Sequence, residues 1–184
     1  MRAVIQRVSS ASVIVDSNVV SSISNGLMCL IGIGDESIQP EHPDDTAKDS
    51  EYIVNKILNL KVFDDPETGA MWKKSVKDIE GEILCVSQFT LMAKTIKGAK
   101  PDFHKAMANY PVHSMPRCSN QWARIRPSRI KDGQFGAMMS VSLTNEGPVT
   151  LTIDSRKFEY TPVAETSAKK KSIEANGTET PIGN

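Results

Sequence analysis

Near the end of the chain, apolar and polar residues alternate over two neighbouring stretches, and this alternation limits the possible folds more than any other feature. Every second residue is apolar over residues 139–143 and again over residues 149–153, with serine or threonine between them. A period of two residues is typical of strands with one buried face. The pattern predicts two half-buried strands, which the turn-forming residues 145–148 join in a hairpin.

The first half of the chain carries the same kind of signal. Two β-branched runs within residues 2–24 flank turn-forming residues at 16–18, which predicts another hairpin. The run at residues 26–33 is apolar on both faces and predicts a central strand. Apolar residues at three- and four-residue steps predict a helix over residues 47–60. A further strand is predicted over residues 82–92.

Shorter elements are predicted between and after these. Val62 and Phe63 are predicted to form a short strand, and residues 64–69 a turn after it. Pro101 opens a short helix, because the first helical position needs no amide hydrogen, and a further helix lies near residues 117–126. Hairpins at both ends with helices in the middle indicate an α+β fold of mostly antiparallel sheet.

Composition defines one domain and excludes several classes of protein. Residues 162–184 are dominated by Ala, Lys, Ser, Thr, Glu and Gly and are predicted to be a disordered tail behind a domain at residues 1–161. No apolar run approaches the roughly 18 residues of a membrane span, and we expect no secretory signal.

Cys29 and Cys85 lie in apolar runs and are expected to be buried thiols, whereas Cys118 lies among polar residues. No pair of cysteines has the spacing of metal ligands. We therefore expect a cytoplasmic protein that uses no metal or cofactor and does not associate with a membrane.

Positive and negative charges occupy different parts of the chain, although the whole has 22 bases and 22 acids. Residues 94–131 hold nine bases and one acid, a net charge of +8, and residues 35–82 hold thirteen acids and six bases, a net charge of −7. A protein that binds a phosphate backbone requires such a basic stretch. A solvated face balanced by the acidic half explains the same charges, so charge alone leaves both interpretations open.

Familiar hydrolase motifs are missing. The sequence has no Gly-x-Ser-x-Gly elbow, no His-Glu-x-x-His and no Gly-x-x-x-x-Gly-Lys-Ser/Thr loop. His42, His104 and His113 lie in or near predicted loops without an evident nucleophile beside them. Each is therefore interpreted as a surface residue rather than a catalytic base.

Two polar segments interrupt the predicted strands. Ser87, Gln88 and Thr90 surround Phe89 at the end of a buried strand, and the two hydroxyls converge only if the strand ends or bulges there. A strand edge with satisfied hydroxyls is the simpler explanation. Residues 145–150 hold a Gly-Pro pair that is a candidate cis peptide, although only ~5–6% of such bonds are cis. A cis bond would present adjacent carbonyls as a receptor for an ammonium group.

Five segments together resemble the D-aminoacyl-tRNA deacylase family, in that family's order and at its approximate spacing. Each is weakly specific alone, but together they are very specific and cover about residues 1–158. The sequence departs from the family over residues 108–130, where three prolines interrupt an expected helix. The matching segments are residues 1–8, 87–91, 97–103, 135–139 and 145–150.

The resemblance implies a fold and a reaction. Members of that family hydrolyse the ester between a D-amino acid and the terminal ribose of tRNA, and they also accept glycine. The implied fold is a barrel-like β/β/α layered domain with two or three helices. The implied partners are tRNA and a second copy of the chain, in a homodimer whose two active sites lie at the subunit interface.

The resemblance also assigns site residues, all in terms of this sequence. Those expected in the catalytic pocket are Ser87, Gln88, Phe89 and Thr90. Those expected to bind the aminoacyl end are Gly147 and Pro148 from the partner subunit, Arg7 as the brace of their loop, and Phe135 and Met139 beside the terminal adenine. Those expected to meet phosphates are Lys94, Lys97 and Lys100.

Such a site needs little from its side chains, because the α-ammonium group already activates the ester. We expect main-chain amides around Phe89 and Thr90 to stabilise the oxyanion, with the Thr90 hydroxyl or the ribose 2′-hydroxyl orienting water. Carbonyls at Gly147 and Pro148 that hold the ammonium would direct an L side chain into the pocket wall. The alternatives are a noncatalytic tRNA-binding module and a hydrolase of free D-amino-acid esters or peptides.

Overall fold

The structure, a computed structural model, describes residues 1–34, 45–96, 98–104, 106 and 127–156. Within these ranges it contains six strands, one α-helix and two 3₁₀ turns. The strands are β1 (Arg2–Val15), β2 (Asn18–Ile23), β3 (Gly26–Gly32), β4 (Glu82–Ser87), β5 (Ile130–Asp132) and β6 (Ser140–Asp154). The helix is α1 (Ala47–Asn59), and the turns are Phe89–Met92 and Pro127–Arg129.

β1 is the central strand of the sheet and pairs along both of its edges. One edge pairs with β6, and the other pairs first with β3 and then with β2, all antiparallel. β3, β4 and β5 follow one another in parallel, so the sheet is mixed. The sheet curves into a nearly closed barrel that brings β5 beside β2, where the Lys131 ammonium donates to the Ser22 carbonyl at 2.5 Å. The predicted barrel-like α+β fold is confirmed.

α1 covers one face of this sheet, as its apolar spacing predicts. The Thr46 hydroxyl accepts from the Lys48 amide at 3.2 Å, and the Asp49 carboxylate accepts from the Thr46 amide at 2.8 Å. This capping box satisfies amides that otherwise lack partners at a helix start. The buried face of the helix consists of Ile53, Val54, Ile57 and Leu58.

β3 is buried on both faces, which confirms its predicted central position. Leu27, Cys29 and Ile31 face the helix, whereas Met28 faces the interior of the barrel. Cys29 on β3 lies opposite Cys85 on β4, and both side chains are buried, as predicted. The sheet therefore separates two apolar clusters, one under the helix and one inside the barrel. Cys118 lies outside the described residues.

The two alternating stretches near the end of the chain form one strand, so the predicted hairpin is wrong. β6 pairs with β1 before and after an interruption: Asn145 lies opposite Val8, and Thr150 lies opposite Gln6. The four residues between them face Arg7 alone and are pushed out of the ladder as a loop. Alternation marks both stretches as strand but cannot reveal that each pairs with β1 rather than with the other.

Two predictions in the middle of the chain also need correction. β4 ends at Ser87, so a strand over residues 82–92 is too long. Phe63 makes only an isolated bridge with Lys74 in place of a short strand. The predicted turn after it is present, since the Asp65 amide donates to the Ala70 carbonyl at 2.9 Å.

The helix predicted to open at Pro101 is absent from the described residues that follow it. Asp102 instead bridges to Lys94, because the chain folds back on itself there. The helix predicted near residues 117–126 and the tail predicted at residues 162–184 lie outside the described residues. One α-helix is therefore present in the described part of the chain, where two or three were expected for the whole.

Candidate active site

Three parallel strands end at one edge of the sheet, and polar residues follow the middle one. β4 ends at Ser87, whose neighbour on β3 is Ile31. The Gln88 amide still donates to the Ile31 carbonyl at 2.8 Å, after which the chain leaves the sheet as the Phe89–Met92 turn. Segments that follow neighbouring parallel strands lie close together at the carboxyl edge, where α/β proteins bind ligands.

The Phe89–Met92 turn presents main-chain donors at its start. Its first hydrogen bond runs from the Leu91 amide to the Gln88 carbonyl at 3.2 Å. The amides of Phe89 and Thr90 precede that bond and have no partner within the turn. The Phe89 side chain is 53% exposed and Thr90 is exposed as well. Two adjacent amides of this kind are suited to hold a negative charge that develops on oxygen.

Gln88 and Thr90 interact directly, because the chain turns after Ser87. The Gln88 side-chain amide donates to Thr90 Oγ1 at 2.5 Å. This bond leaves the Thr90 hydroxyl hydrogen available to donate elsewhere. Within the described residues, no histidine or carboxylate is hydrogen-bonded to Thr90, so the geometry there does not build a nucleophile–base pair.

An aromatic pair connects the turn to the loop that follows it. The rings of Phe89 and Phe103 meet edge to face, with centroids 5.2 Å apart and planes at 70°. Backbone hydrogen bonds of 2.8 and 2.9 Å between Lys94 and Asp102 close the loop between them. Sequence reasoning did not assign a role to Phe103, although it ends one of the matching segments.

Two of the three lysines predicted to meet phosphates stand on this closed loop. Lys94 and Lys100 are exposed there, and Lys97 lies outside the described residues. The loop is tied to the Phe89 ring through Phe103. The loop that carries these two lysines therefore adjoins the Phe89–Met92 turn.

The loop after β5 lies against the end of β4. The Gly133 amide donates to the Cys85 carbonyl at 2.9 Å, which extends the pairing of the two strands. Met139 is partly buried against the cluster inside the barrel, and Phe135 is partly buried on the same loop. Met138 is 93% exposed. Both predicted adenine-flanking residues thus lie between β5 and β6, together with an exposed Met138 that strand alternation does not single out.

A second candidate feature lies on β6, where the chain is pushed out of the ladder. The Gly147–Pro148 bond is cis, in agreement with the candidate identified in the sequence. Gly147 has φ of +113°, a conformation that favours glycine. A methyl group added there would lie 2.9 Å from the Val149 side chain and 3.0 Å from the Arg7 guanidinium. A side chain at Gly147 would therefore force the Val149 or Arg7 side chain to shift.

Arg7 reaches this loop from β1. Its Nε donates to the Glu146 carbonyl at 3.3 Å, and its Nη1 donates to the Val62 carbonyl at 2.8 Å. The side chain is only 13% exposed. The carboxylates of Asp64 and Glu146 lie 3.9 and 3.8 Å away. Arg7 therefore contacts the Gly-Pro loop directly, as expected of a residue that braces it.

A cleft of about 520 Å³ opens beside the same loop. Hydrogen bonds from the Ser75 amide and hydroxyl hold the pKa of one lining carboxylate, Asp78, below its ordinary value of 3.8. That carboxylate is therefore ionised near neutral pH. The other acids in the lining are Asp64, Glu80 and Glu146.

The Gly-Pro loop and the Phe89–Met92 turn lie apart within one chain. Gly147 flanks Arg7, which pairs with Leu27 on β3, whereas Ser87 pairs with Ile31 on the same strand. The distance from Leu27 to Ile31 along a strand is about 13 Å, at roughly 3.3 Å per residue. The two features therefore lie at different heights along the strands of one chain.

The described residues contain no group of three or more histidine, cysteine or acidic side chains placed to hold a metal ion. No helix in that part of the chain is long and apolar enough to cross a membrane. The carboxyl edge presents the main-chain donors of the Phe89–Met92 turn. The Phe89–Phe103 ring pair and the loop with Lys94 and Lys100 adjoin that turn.

The fold is that of a barrel-like α+β protein, and among its described residues the candidate site presents main-chain donors without a side-chain triad. The family model described as D-Tyr-tRNA(Tyr) deacylase matches residues 4–154. The D-aminoacyl-tRNA deacylase of Candida glabrata is 50% identical over 161 residues, covering 84% of this chain and 99% of the relative. That of Saccharomyces cerevisiae is 49% identical over 157 residues, with the same coverage. The chain belongs to the D-Tyr-tRNA(Tyr) deacylase family.

A solved structure shows the same fold. The protein named c-Myc DNA Unwinding Element Binding Protein is 46% identical and superposes with a TM-score of 0.70, covering 84% of this chain and 98% of that one. The mixed, barrel-like sheet is therefore shared with an established structure, and the family predicted from the five sequence segments is confirmed.

Proposed function

We propose that the protein hydrolyses the ester bond of D-aminoacyl-tRNA and releases the free D-amino acid and tRNA, as chiral proofreading in translation. The observation that carries the proposal is the pair of Phe89 and Thr90 amides at the start of an exposed turn, next to lysines on the adjoining loop. The relatives from Candida glabrata and Saccharomyces cerevisiae, 50% and 49% identical, are named for this activity.

The reaction is a simple ester hydrolysis. Water adds to the ester carbonyl carbon, and the Phe89 and Thr90 amides hold the oxyanion that forms. The bond to the ribose oxygen then breaks, and that oxygen takes up a proton. The α-ammonium group already activates the ester, so positioning of the reactants and an oxyanion hole supply the remaining rate enhancement. The Thr90 hydroxyl, held by Gln88 beside Ser87, and the ribose 2′-hydroxyl orient the water.

Chiral selection is proposed to occur in a homodimer. The main-chain carbonyls at Gly147 and Pro148 of the partner subunit hold the α-ammonium group, and Arg7 braces their loop. With ammonium and ester both fixed, an L side chain strikes the pocket wall and a D side chain points to solvent. Glycine has no side chain to reject, so glycyl-tRNA mischarged on a non-cognate tRNA is also a substrate. The separation of the two features within one chain supports this arrangement.

The carboxyl edge is proposed to receive the 3′ end of the tRNA. Phe135 and Met139 flank the terminal adenine, and Lys94, Lys97 and Lys100 meet phosphates. Support comes from the loop after β5, which lies beside the end of β4, and from the net charge of +8 over residues 94–131. The cytoplasm, where aminoacyl-tRNA is used, is the proposed location.

A noncatalytic nucleic-acid-binding module is the alternative function. The 46% identical relative is named for binding a DNA element, and a basic loop attracts any phosphate backbone. Such a module would bind tRNA without cleaving the ester. It would bind equally whether or not the tRNA carried a D-amino acid.

Incubation of the purified protein with D-tyrosyl-tRNA and L-tyrosyl-tRNA tests the proposal. The D-ester should disappear at a rate proportional to protein concentration, while the L-ester survives at its spontaneous rate. Binding of both without loss of either would establish the noncatalytic module instead. Equal hydrolysis of D-tyrosine methyl ester would point to a hydrolase of small esters and against the requirement for tRNA.

A further inference from the structure

Arg2, at the start of β1, joins the end of the sheet to the candidate catalytic turn. Its Nε donates to the Asp154 carboxylate at 2.8 Å, and its Nη1 donates to the Leu91 carbonyl at 3.1 Å. Arg2 lies opposite Asp154 on β6 and opposite Gly32 on β3. One guanidinium therefore fixes the carbonyl end of the turn whose other end carries the Phe89 amide.

The turn is also seated directly on β3. A methyl group at Gly32 would lie 2.9 Å from the Gln88 carbonyl oxygen and 2.9 Å from the Leu91 Cβ. No side chain fits between the strand and the turn at that point. The turn is thus held from below by the bare backbone of Gly32 and from the side by Arg2.

Asp154 is itself well placed to hold Arg2. Its side chain is 10% exposed, and its second oxygen accepts from the Arg156 amide at 2.9 Å. Arg2 is 39% exposed, so solvent screens its ion pair with Asp154 and limits what the pair adds to the free energy of unfolding. Its two directed hydrogen bonds are better suited to set the orientation of a four-residue turn than to hold the fold together.

We propose that Arg2 is a positioning residue for ester hydrolysis, holding the Phe89–Met92 turn through the Leu91 carbonyl so that the Phe89 and Thr90 amides point at the reacting oxygen. The proposal rests on the proposed function of that turn. Misplacement of catalytic donors by about 1 Å costs on the order of a hundredfold in rate. The hydrogen bond from Arg2 to the Leu91 carbonyl restrains displacements of the turn by about this distance.

Arg2→Met, which keeps the aliphatic stem, is the direct test. We expect kcat on D-tyrosyl-tRNA to fall about tenfold or more, with KM changed by less than about twofold. Lys74→Met is the matched control, because Lys74 and Asp65 form an ion pair of similar exposure, 36% and 18%, away from the turn. The control should show a similarly small change in Tm and an unchanged kcat.

An exchange variant separates positioning from simple ion pairing. Arg2→Asp combined with Asp154→Arg keeps opposite charges across β1 and β6 but removes the donor that faces Leu91 from position 2. The Tm should recover while kcat stays low. Recovery of wild-type kcat in the exchange variant would overturn the proposal.

A readout independent of activity keeps this proposal separate from the proposed function. In ¹⁵N spectra, Arg2→Met should shift the amide signals of Phe89–Met92 and speed their hydrogen exchange, whereas Lys74→Met should not. Unchanged turn amides in Arg2→Met would overturn the positioning role even if the wild-type protein hydrolysed nothing. Shifted amides in a protein without deacylase activity would instead contradict the proposed function alone.

Discussion

Arg7 Nε donates to the main-chain carbonyl of Glu146 at 3.3 Å, so the residue that precedes the Gly-Pro pair is tied to the central strand of the sheet. The same guanidinium donates to the Val62 carbonyl at 2.8 Å. With its side chain only 13% exposed, Arg7 has little freedom to move. Any atom added between Arg7 and the loop must displace one of them.

Gly147→Ala adds such an atom. Its methyl group would lie 3.0 Å from the Arg7 guanidinium and 2.9 Å from the Val149 side chain, at a φ of +113°. We expect the loop carbonyls to shift and kcat/KM on D-tyrosyl-tRNA to fall at least about tenfold. Because the loop is exposed, Tm should drop by only a few degrees. Deacylation assays and thermal unfolding measure the two effects.

Gly69→Ala is the matched control for that variant. Gly69 also has positive φ, +68°, but no atom lies within 4 Å of an added methyl. It therefore shares the backbone strain without the collision and should keep the wild-type rate. Wild-type activity in Gly147→Ala would contradict the placement of the loop at the substrate.

Mixing two defective variants tests whether the site is shared between subunits. Thr90→Arg blocks the pocket at an exposed position, and Gly147→Ala disturbs the loop of the same chain about 13 Å away along the strands. In a symmetric dimer, each heterodimer would contain one site with neither defect. An equimolar mixture should then recover about a quarter of the wild-type rate, since half of the dimers are mixed.

The mixture must be shown to contain heterodimers, for example by pulling down one variant with a tag on the other. Activity that stays at the level of the separate variants, although heterodimers are present, would argue for a site complete within one chain. Thr90→Arg mixed with Thr90→Arg/Gly147→Ala provides the negative control, because no dimer in that mixture has an intact pocket.

The elements that sequence patterns predicted correctly are those whose pattern depends on burial alone. The helix predicted over residues 47–60 and the strand predicted over residues 26–33 are both present. Their patterns record only which side chains are buried and do not depend on which segments of the chain cover them. Pairing partners are different, since they depend on contacts between distant segments. β6 looked like a hairpin because alternation records which face is buried and not which strand lies beside it.

The site shows the same division. Polar residues at the end of a buried strand single out Ser87 and Thr90 as candidates, and an unusual Gly-Pro pair singles out the loop on β6, but only the resemblance to the family assigns both segments to one site. Phe103 and Arg2 gave no local signal. The roles proposed for them rest on an aromatic contact and a hydrogen bond that exist only once the chain has folded.

The Phe89–Phe103 contact is expected to couple the catalytic turn to the loop that carries Lys94 and Lys100. An edge-to-face pair contributes about 0.5–1.5 kcal/mol beyond its buried area. Phe89→Leu and Phe103→Leu should each lower kcat/KM on D-tyrosyl-tRNA. In the double variant the losses should be non-additive by about 1 kcal/mol, or roughly fivefold. Strictly additive losses would show that the two rings act independently.

Hydrogen-bonded carboxylates are expected to set the stability of the fold in acid. Burial raises the pKa of Asp49, but hydrogen bonds from the Thr46 hydroxyl and amide outweigh it and hold the pKa below the ordinary 3.8. The Ser24 amide and the Lys131 ammonium lower the pKa of Glu82 below 4.5. Each folded-state pKa therefore lies below its unfolded value. The stabilisation is fully present above the unfolded pKa values and is lost as the pH falls through the folded ones.

Asp49→Asn tests this directly. At pH 7 it should lower the free energy of unfolding by about 1 kcal/mol, because the capping box loses its charged acceptor. It should also reduce the loss of stability between pH 7 and pH 3, since one carboxylate that binds a proton more readily in the unfolded chain is gone. Urea unfolding at both pH values gives the two quantities. Glu51→Gln, an exposed change on the same helix, is the control. If the stability of Asp49→Asn depended on pH as strongly as that of the wild type, the Asp49 carboxylate would not contribute to the acid sensitivity of the fold.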